Sequence, residues 1–295
     1  MNLGLKNNNL LMNALLNNPL VRGLIELAFK EDIGDGDHTS MACIDSSSKG
    51  RSVIVAKEEG ILAGAFLADY IFKKIDPSLL VKQLVKDGSK VVNEQVVMEI
   101  EGSSISMLTA ERTVLNFMQR LSGVATQTHM YVNTLKGLNT QILDTRKTTP
   151  GMRMLEKWAV ETGGGTNHRI GLYDMILIKD NHIDFAGGIQ PAIERTHAYL
   201  KSHKLNLKIE IETRSLNEVE QVLSVGGINR IMLDNFSPEL LKEAVLRING
   251  RYETEASGGI TLQTLRKYAE TGVDFISSGA LTHSVKSLDF SMRAV

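Results

Sequence analysis

Between Asp144 and His182 the chain reads DTRKTTPGMRMLEKWAVETGGGTNHRIGLYDMILIKDNH, and its basic side chains hold most of the chemistry visible in the sequence. Arg146 and Lys147 follow the short run QILDT, His168 and Arg169 follow three glycines, and Lys179 closes a second apolar run, MILIK. Strand ends and loop tips are where α/β proteins keep their ligands. The chain as a whole is nearly neutral, with 33 Lys and Arg against 34 Asp and Glu, so this positive charge is local. A local cationic pocket suits a small polyanion, whereas a nucleic-acid binder is more often basic over a whole face. Arg146, His168, Arg169 and Lys179 cannot share a small volume without an anion between them, because like charges repel and burial adds to the cost. Each charge-assisted hydrogen bond to a carboxylate contributes about 1.5–3 kcal/mol. A ligand with two carboxylates would use this many donors; one carboxylate would leave several unpaired.

Further along, strand-like runs end in Glu210-Ile-Glu212, Asp234-Asn235, Ser257-Gly258-Gly259 and Ser278-Gly279. Polar residues mark the end of any strand, which accounts for one or two of these but not for the whole series. Glu212 and Asp234 fit either a salt-bridged rim or, beside a phosphate site, a pair holding Mg²⁺ through water or binding ribose hydroxyls. The segments SGGI (257–260) and SSGALTH (277–283) are expected to open helices after the last two strands. Barrel enzymes bind phosphate at that place, using backbone N–H groups that glycine leaves accessible. Together the two segments favour a phosphorylated ligand.

Positioning these groups requires a particular order of elements. VRGLIELAFKED predicts a helix running into a glycine loop, IGDGDHTS, whose Asp35 and Asp37, with Asp32 before it, do not have calcium-loop spacing. From about 50 to 108, short β-branched runs alternate with turns around one helical stretch, AGAFLADYIFKKI, which predicts a small antiparallel α+β unit. Residues 109–136 predict a long helix with Val114, Phe117, Met118, Leu121 and Ala125 on one face and Arg112, Asn116 and Gln119 on another. Beyond it strands and helices alternate. Glu212, Asp234, Ser257 and Ser278 are spaced by 22, 23 and 21 residues, the repeat of a parallel β/α barrel. Its strands read as near-continuously apolar, as strands covered on both faces must be.

The remaining features exclude more than they assign. A single cysteine, Cys43, allows no internal disulfide or cysteine metal cluster and fits a reducing cytosol; a buried structural thiol is the expectation. No run approaches the length and apolarity of a membrane span, and the Leu/Asn start MNLGLKNNNLLMNALLNN reads as a frayed tail leading into a helix. His38, His129, His182, His197 and His203 show no ligand spacing.

Several segments together resemble the quinolinate phosphoribosyltransferase family, the carboxylating nicotinate-nucleotide pyrophosphorylases. They are EDIGDGDHTS (31–40), EGILAG (59–64), TAERTVLNFMQRLSGVAT (109–126), DTRKTTPGMR, GGGTNHRIGLYDMILIKDNH, IEIET, IMLDNF, EASGGI and SGALTHS. The resemblance spans nearly the whole chain. It implies an N-terminal α/β sandwich domain (1–113, with 286–295 returning to it) followed by an open, incomplete parallel α/β barrel (114–285) of the type II phosphoribosyltransferase kind. It further implies a homodimer, which could associate further; the cysteine usage, near-neutral charge and lack of an apolar span predict a cytoplasmic protein that binds neither nucleic acid nor membrane.

By the same likeness Arg146, His168, Arg169 and Lys179 would hold the two carboxylates of quinolinate, and Lys147 would reach the co-substrate phosphoribosyl pyrophosphate. Arg112 would be lent to the partner's site. Glu212 and Asp234 would lie near Mg²⁺ and the ribose, and Ser257, Gly258, Gly259, Gly279 and His283 would take phosphate. No organic cofactor is implied. The alternatives kept beside this reading are a non-catalytic phosphosugar-binding protein and a related transferase with another small anionic acceptor.

Overall fold

The computed structural model describes residues 8–295, so the start of the Asn-rich segment lies outside the described residues. From Asn8 the chain is already helical. The first elements are α1 (Asn8–Asn17), α2 (Pro19–Asp32), α3 (His38–Cys43), β1 (Lys49–Ala56), β2 (Gly60–Ile61) and α4 (Ala65–Ile75). They are followed by β3 (Leu80–Gln83), β4 (Lys90–Val91), β5 (Val96–Ser103) and the long helix α5 (Ser104–Thr134). Next come β6 (Gln141–Leu143), α6 (Arg153–Thr162), β7 (Ile176–Ile178), α7 (Asp180–Ala186), α8 (Ile189–His203), β8 (Ile209–Thr213) and α9 (Leu216–Val225). The chain ends with β9 (Arg230–Asp234), α10 (Pro238–Ile248), β10 (Glu253–Ser257), α11 (Leu265–Ala269), β11 (Phe275–Ser277), α12 (Ala280–His283) and β12 (Phe290–Ala294).

These elements form two compact units. Among the described residues, one comprises 8–129 together with Thr148–Gly164 and Thr282–Val295; the other comprises Met130–Lys147 and Gly165–Leu281.

The first unit is an α/β sandwich built on an antiparallel sheet in the order β12-β1-β5-β3. The last strand of the chain thus pairs with the first, Ser52 opposite Ala294 and Ala56 opposite Phe290. Helix α4 packs on β3 and buries Phe66, Leu67, Ile71 and Phe72. On α5 the predicted apolar face is buried throughout (Val114, Phe117, Met118, Leu121 and Ala125), while Arg112 and Asn116 are exposed. Burying each large apolar side chain contributes about 1.5–3 kcal/mol, which sustains a helix far longer than propensity alone would.

Two local readings need correction. The loop IGDGDHTS is only half a loop: Asp37 accepts the Ser40 N–H at 3.0 Å and caps α3, so the segment turns helical at His38. Cys43 is exposed rather than buried, because α3 is a short surface helix that buries only Ser40.

Within the first unit a buried acid ties α6 to α5. Glu156 is fully buried and accepts Arg120 Nε at 2.9 Å, Arg120 Nη2 at 2.7 Å, Thr149 Oγ1 at 2.7 Å and Thr149 N at 3.0 Å. The two threonine bonds fix the TTPG turn that follows Lys147. Removing the carboxylate leaves a half-buried arginine without its counter-charge, a loss of about 3–5 kcal/mol. Glu156→Ala is therefore expected to lower the denaturation midpoint strongly, and an unchanged midpoint would show that the pair contributes nothing net.

The second unit is an open parallel α/β barrel. Its strands lie in the order β6-β11-β10-β9-β8-β7, every pairing parallel. Among the described residues β6 and β7 do not pair with each other, and a lone bridge from Leu143 to Thr166 extends the β6 edge, so the barrel does not close. Serine caps start the outer helices: Ser215 accepts the Glu218 N–H and Ser237 the Leu240 N–H. In parallel strands all carboxyl ends share one rim. The residues after β6 and β7 and at the ends of β8, β9 and β10 therefore gather there.

Candidate active site

Sheet register decides which side chains face the barrel interior. Glu210 aligns with Arg230, which aligns with Glu253; one pleat further, Glu212, Met232, Glu255, Phe275 and Gln141 line up across five strands. The pleat after that carries Asp234 and Ser257. Leu177 aligns with Glu210, so Lys179, two residues on, falls beside Glu212. The inward face of the strands is thus mixed, with Leu177, Met232 and Phe275 in line with charged residues. Charged residues alternate into the interior, which the near-continuously apolar reading of the sequence did not anticipate.

At the rim, Lys179 Nζ lies 3.1 Å from Glu212 Oε2 and about half of its side chain is exposed. The Lys179 N–H donates to His182 Nδ1 at 2.9 Å, which anchors the lysine at the start of α7 and gives His182 a structural role. Arg169 donates to the Met175 carbonyl at 3.2 Å. Its loop is held by Asp174, which accepts the N–H groups of Ile170 and Gly171 at 2.7 and 2.8 Å. Burial and the like charge of Arg146 both depress the Arg169 pKa, so these two guanidiniums already strain against one another. An anion between them would relieve that strain.

The phosphate-loop candidates have distinct geometry. Gly258 and Gly259 both have positive φ, and a Cβ on Gly258 would come within 2.2 Å of Asn235 Oδ1 and 2.9 Å of the Asn235 nitrogen. Only glycine fits where the loops after β9 and β10 touch, joined by the Asn235 N–H to the Ser257 carbonyl at 2.9 Å. SGGI does not open a helix directly, since the turn at 261–264 intervenes before α11, whereas Gly279 leads straight into α12.

Arg146, Lys147, His168, Arg169, Lys179, Glu212, Asp234, Ser257, Gly258, Gly259 and Gly279 all belong to the barrel unit. Arg112 and His283 belong to the other unit, both exposed; His283 Nδ1 is 2.6 Å from Ser284 Oγ.

His168 is the most buried of the candidate cations. Its ring Nε2 lies 3.0 Å from Glu210 and 3.4 Å from Glu255, both fully buried, and Arg230 Nη1 meets Glu255 at 2.9 Å. Burial opposes charge on the ring, but the hydrogen bonds and field of Glu210 and Glu255 outweigh it and raise the pKa to about 9. Burial and the Glu255 charge push Glu210 up to about 7; Glu255 resists burial and falls to about 2 through His168 and Arg230. A second observation pulls the other way on the ring itself. His168 Nδ1 accepts the Arg169 N–H at 2.7 Å, which a doubly protonated ring could not do. With Nδ1 accepting, the ring proton belongs on Nε2, which faces the two carboxylates. Glu210, Arg230, Glu253 and Glu255 are the site residues that the sequence reading did not assign, although their period-two spacing in IEIE and ETE was a usable signal.

Glu212 and Asp234 offer hard oxygen donors on one inward face of adjacent strands. Asp234 is only half-buried and takes the Asn235 side-chain amide at 2.6 Å. Such a pair fits a divalent cation that keeps most of its water, not a closed protein cage.

The chain matches the family model described as quinolinate phosphoribosyl transferase, N-terminal domain, over residues 37–122, and the model of the C-terminal domain over 124–293. A quinolinate phosphoribosyltransferase [decarboxylating] from Nicotiana tabacum is 47% identical over 288 residues, spanning 92% of this chain and 82% of its own. A probable nicotinate-nucleotide pyrophosphorylase [carboxylating] from Bacillus subtilis is 44% identical over 277 residues, spanning 94% of both. Among solved structures, NadC from Streptococcus pyogenes superposes with a TM-score of 0.89 at 39% identity, covering 93% of this chain and 97% of its own.

Proposed function

Because the chain belongs to the quinolinate phosphoribosyltransferase family, we propose that it transfers the phosphoribosyl group of phosphoribosyl pyrophosphate to quinolinate with loss of CO₂. The products are nicotinate mononucleotide, pyrophosphate and CO₂, a step of NAD biosynthesis. The observation that carries this reading is the set of cations following β6 and β7, facing carboxylates at the ends of β8 and β9 across one barrel rim. A dicarboxylate acceptor answers the cations, and a phosphosugar answers the glycine loops.

In this mechanism Arg146, Arg169 and Lys179 bind the acceptor's carboxylates and aim its ring nitrogen at C1 of the ribose. The nitrogen lone pair forms the new bond as the C1–oxygen bond breaks and pyrophosphate departs with the electron pair. Lys147 stabilises the negative charge that builds on the leaving group. Ser257, Gly258, Gly259, Gly279 and His283 hold phosphate. Glu212 and Asp234 would hold Mg²⁺ through water, and the ion when bound supplies further charge neutralisation to the pyrophosphate. The carboxylate next to the quaternised nitrogen then leaves as CO₂; its bonding pair passes to the ring, and that carbon takes up a proton. No covalent nucleophile is needed, so the chain's contribution is positioning and charge.

The chain would act as a homodimer in which Arg112 serves the neighbouring site. A single cysteine supports a reducing compartment such as the cytoplasm. No helix among the described residues is long and apolar enough to cross a membrane.

The direct test is turnover with quinolinate, phosphoribosyl pyrophosphate and Mg²⁺, following nicotinate mononucleotide and CO₂ together. Equal amounts of both are expected. Product from nicotinate but not quinolinate would replace the acceptor, and no product from either in the folded protein would leave a phosphosugar-binding protein.

A further inference from the structure

The interior of a parallel barrel is usually filled with branched apolar side chains. Here the space beneath the rim is ionic. Burying a charge costs several kcal/mol unless it is well paired. Glu253 and Glu255 are paired with Arg230, while Glu210 lies against the His168 ring. Arg230 Nη1 meets Glu255 at 2.9 Å, while its Nε and Nη2 reach Glu253 at 3.2 and 3.1 Å. The guanidinium also stacks 4.0 Å from the centroid of the Phe275 ring. Above it, His168 closes the cluster with Nε2 against Glu210 and Glu255.

The remaining polar contacts of His168 run to its own surroundings. Its main-chain N–H donates to Asp144 at 2.9 Å, and its Nδ1 accepts the Arg169 N–H at 2.7 Å. Only 6% of the side chain is exposed. Both ring nitrogens are therefore turned toward protein atoms, and little of the ring is exposed. Meanwhile the segment that carries Arg169 enters through Gly163-Gly164-Gly165, which supplies no side chain to hold it. The ring meets the Arg169 N–H directly, beside the bonds from Asp174 that hold the Ile170 and Gly171 N–H groups further along the loop.

We infer that Glu210, Glu255 and Arg230 form a buried ionic base for His168, and that His168 is a positioning residue that aims Arg169 at the acceptor instead of touching the acceptor itself. The inference rests on the proposed quinolinate pocket. The same trio, His168, Glu210 and Glu255, has the donor types of a metal site. However, Glu255 is already engaged by Arg230, and a metal on Nε2 would have to displace the proton held there.

The test uses the full chain. Glu255→Gln keeps the shape and removes one charge. It is expected to raise the quinolinate KM by about tenfold or more, the loss of a well-aimed charge-assisted contact, with the phosphoribosyl pyrophosphate KM within about twofold. Should this variant fail to fold, Glu255→Gln combined with Arg230→Met removes one charge of each sign and is read the same way. An unchanged quinolinate KM, or equal rises in both KM values, overturns the inference.

A spectroscopic arm separates positioning from direct contact. In ¹⁵N-histidine-labelled enzyme, with His168 assigned by comparison with His168→Gln, Nδ1 should appear unprotonated and Nε2 protonated, with or without quinolinate. A change of either ring nitrogen's protonation on quinolinate binding makes His168 a ligand and overturns the inference. Restoration of no function but tight occupancy by added Zn²⁺, displaced by acid, would replace the ion network with a metal site. Failure of the pocket itself has a different signature: Arg169→Ala would then keep full quinolinate affinity, whatever Glu255→Gln does.

Discussion

Replacing Lys147 with Ala is expected to lower kcat by about 10²–10³-fold while quinolinate affinity changes by less than about threefold. Two neighbouring cations, Arg146 and Lys147, follow the same short strand, yet physical chemistry gives them different work. Arg146 is half-buried and close enough to Arg169 for their charges to interact, so a planar carboxylate bridging the two guanidiniums is the natural occupant. Lys147 is exposed, and the bond from its main-chain N–H to Thr145 Oγ1 at 3.1 Å sets the start of its loop. An ammonium on a flexible stem can follow charge as it moves onto a leaving group, an interaction stronger in the transition state than in the ground state. Such an interaction appears in kcat and not in acceptor binding. Equilibrium binding of quinolinate beside single-turnover rates would show the split. Unchanged turnover would remove Lys147 from the leaving group, and lost binding with unchanged turnover would move it to the acceptor.

The rim was legible in the sequence because strand ends are punctuated by residue type. QILDTRK, MILIKD, RIMLDN and EASGG each switch from apolar to polar or glycine within a residue or two of where the strand stops. The spacing of these switches gave the strand–helix repeat, and the open parallel sheet follows it. What lay beneath the rim was harder to see. The strands are only three to five residues long, so each shows at most three inward positions, too few for alternation to stand out against helix-facing isoleucine and leucine. Glu210 was visible only as a companion of Glu212, and Arg230 and Glu255 carried no reading of their own. Pairing across three strands makes them one cluster, and pairing is a property of register, not of local sequence. Cys43 went wrong for a similar reason: whether a short helix buries its last residue depends on what packs against it. Asp37, by contrast, had a local signal, an N-cap acid three residues before Ser40, that the surrounding glycines masked.

Arg112 is the residue through which two protomers would share a site. It is exposed on α5, on the same side as Asn116, and belongs to the sandwich unit, whereas the proposed acceptor cations belong to the barrel unit. In a twofold-symmetric dimer each protomer presents the same patch, so an arginine given to the neighbour is returned by the neighbour. Arg112→Ala and Lys147→Ala protomers should each be nearly inactive alone. After unfolding and refolding together at equal concentration, half of the dimers should be mixed. Each mixed dimer holds one site with an intact Lys147 and an intact Arg112 from the other chain, and one site lacking both. Recovery of about a quarter of wild-type activity is therefore expected from random pairing. Tagging the two variants differently and isolating the mixed dimer should raise that to about half, one working site in two. No recovery in verified mixed dimers would return Arg112 to its own chain's site or remove it from catalysis. Full recovery by Arg112→Lys alone would show that charge, without the planar fork that suits a carboxylate, is all the position requires.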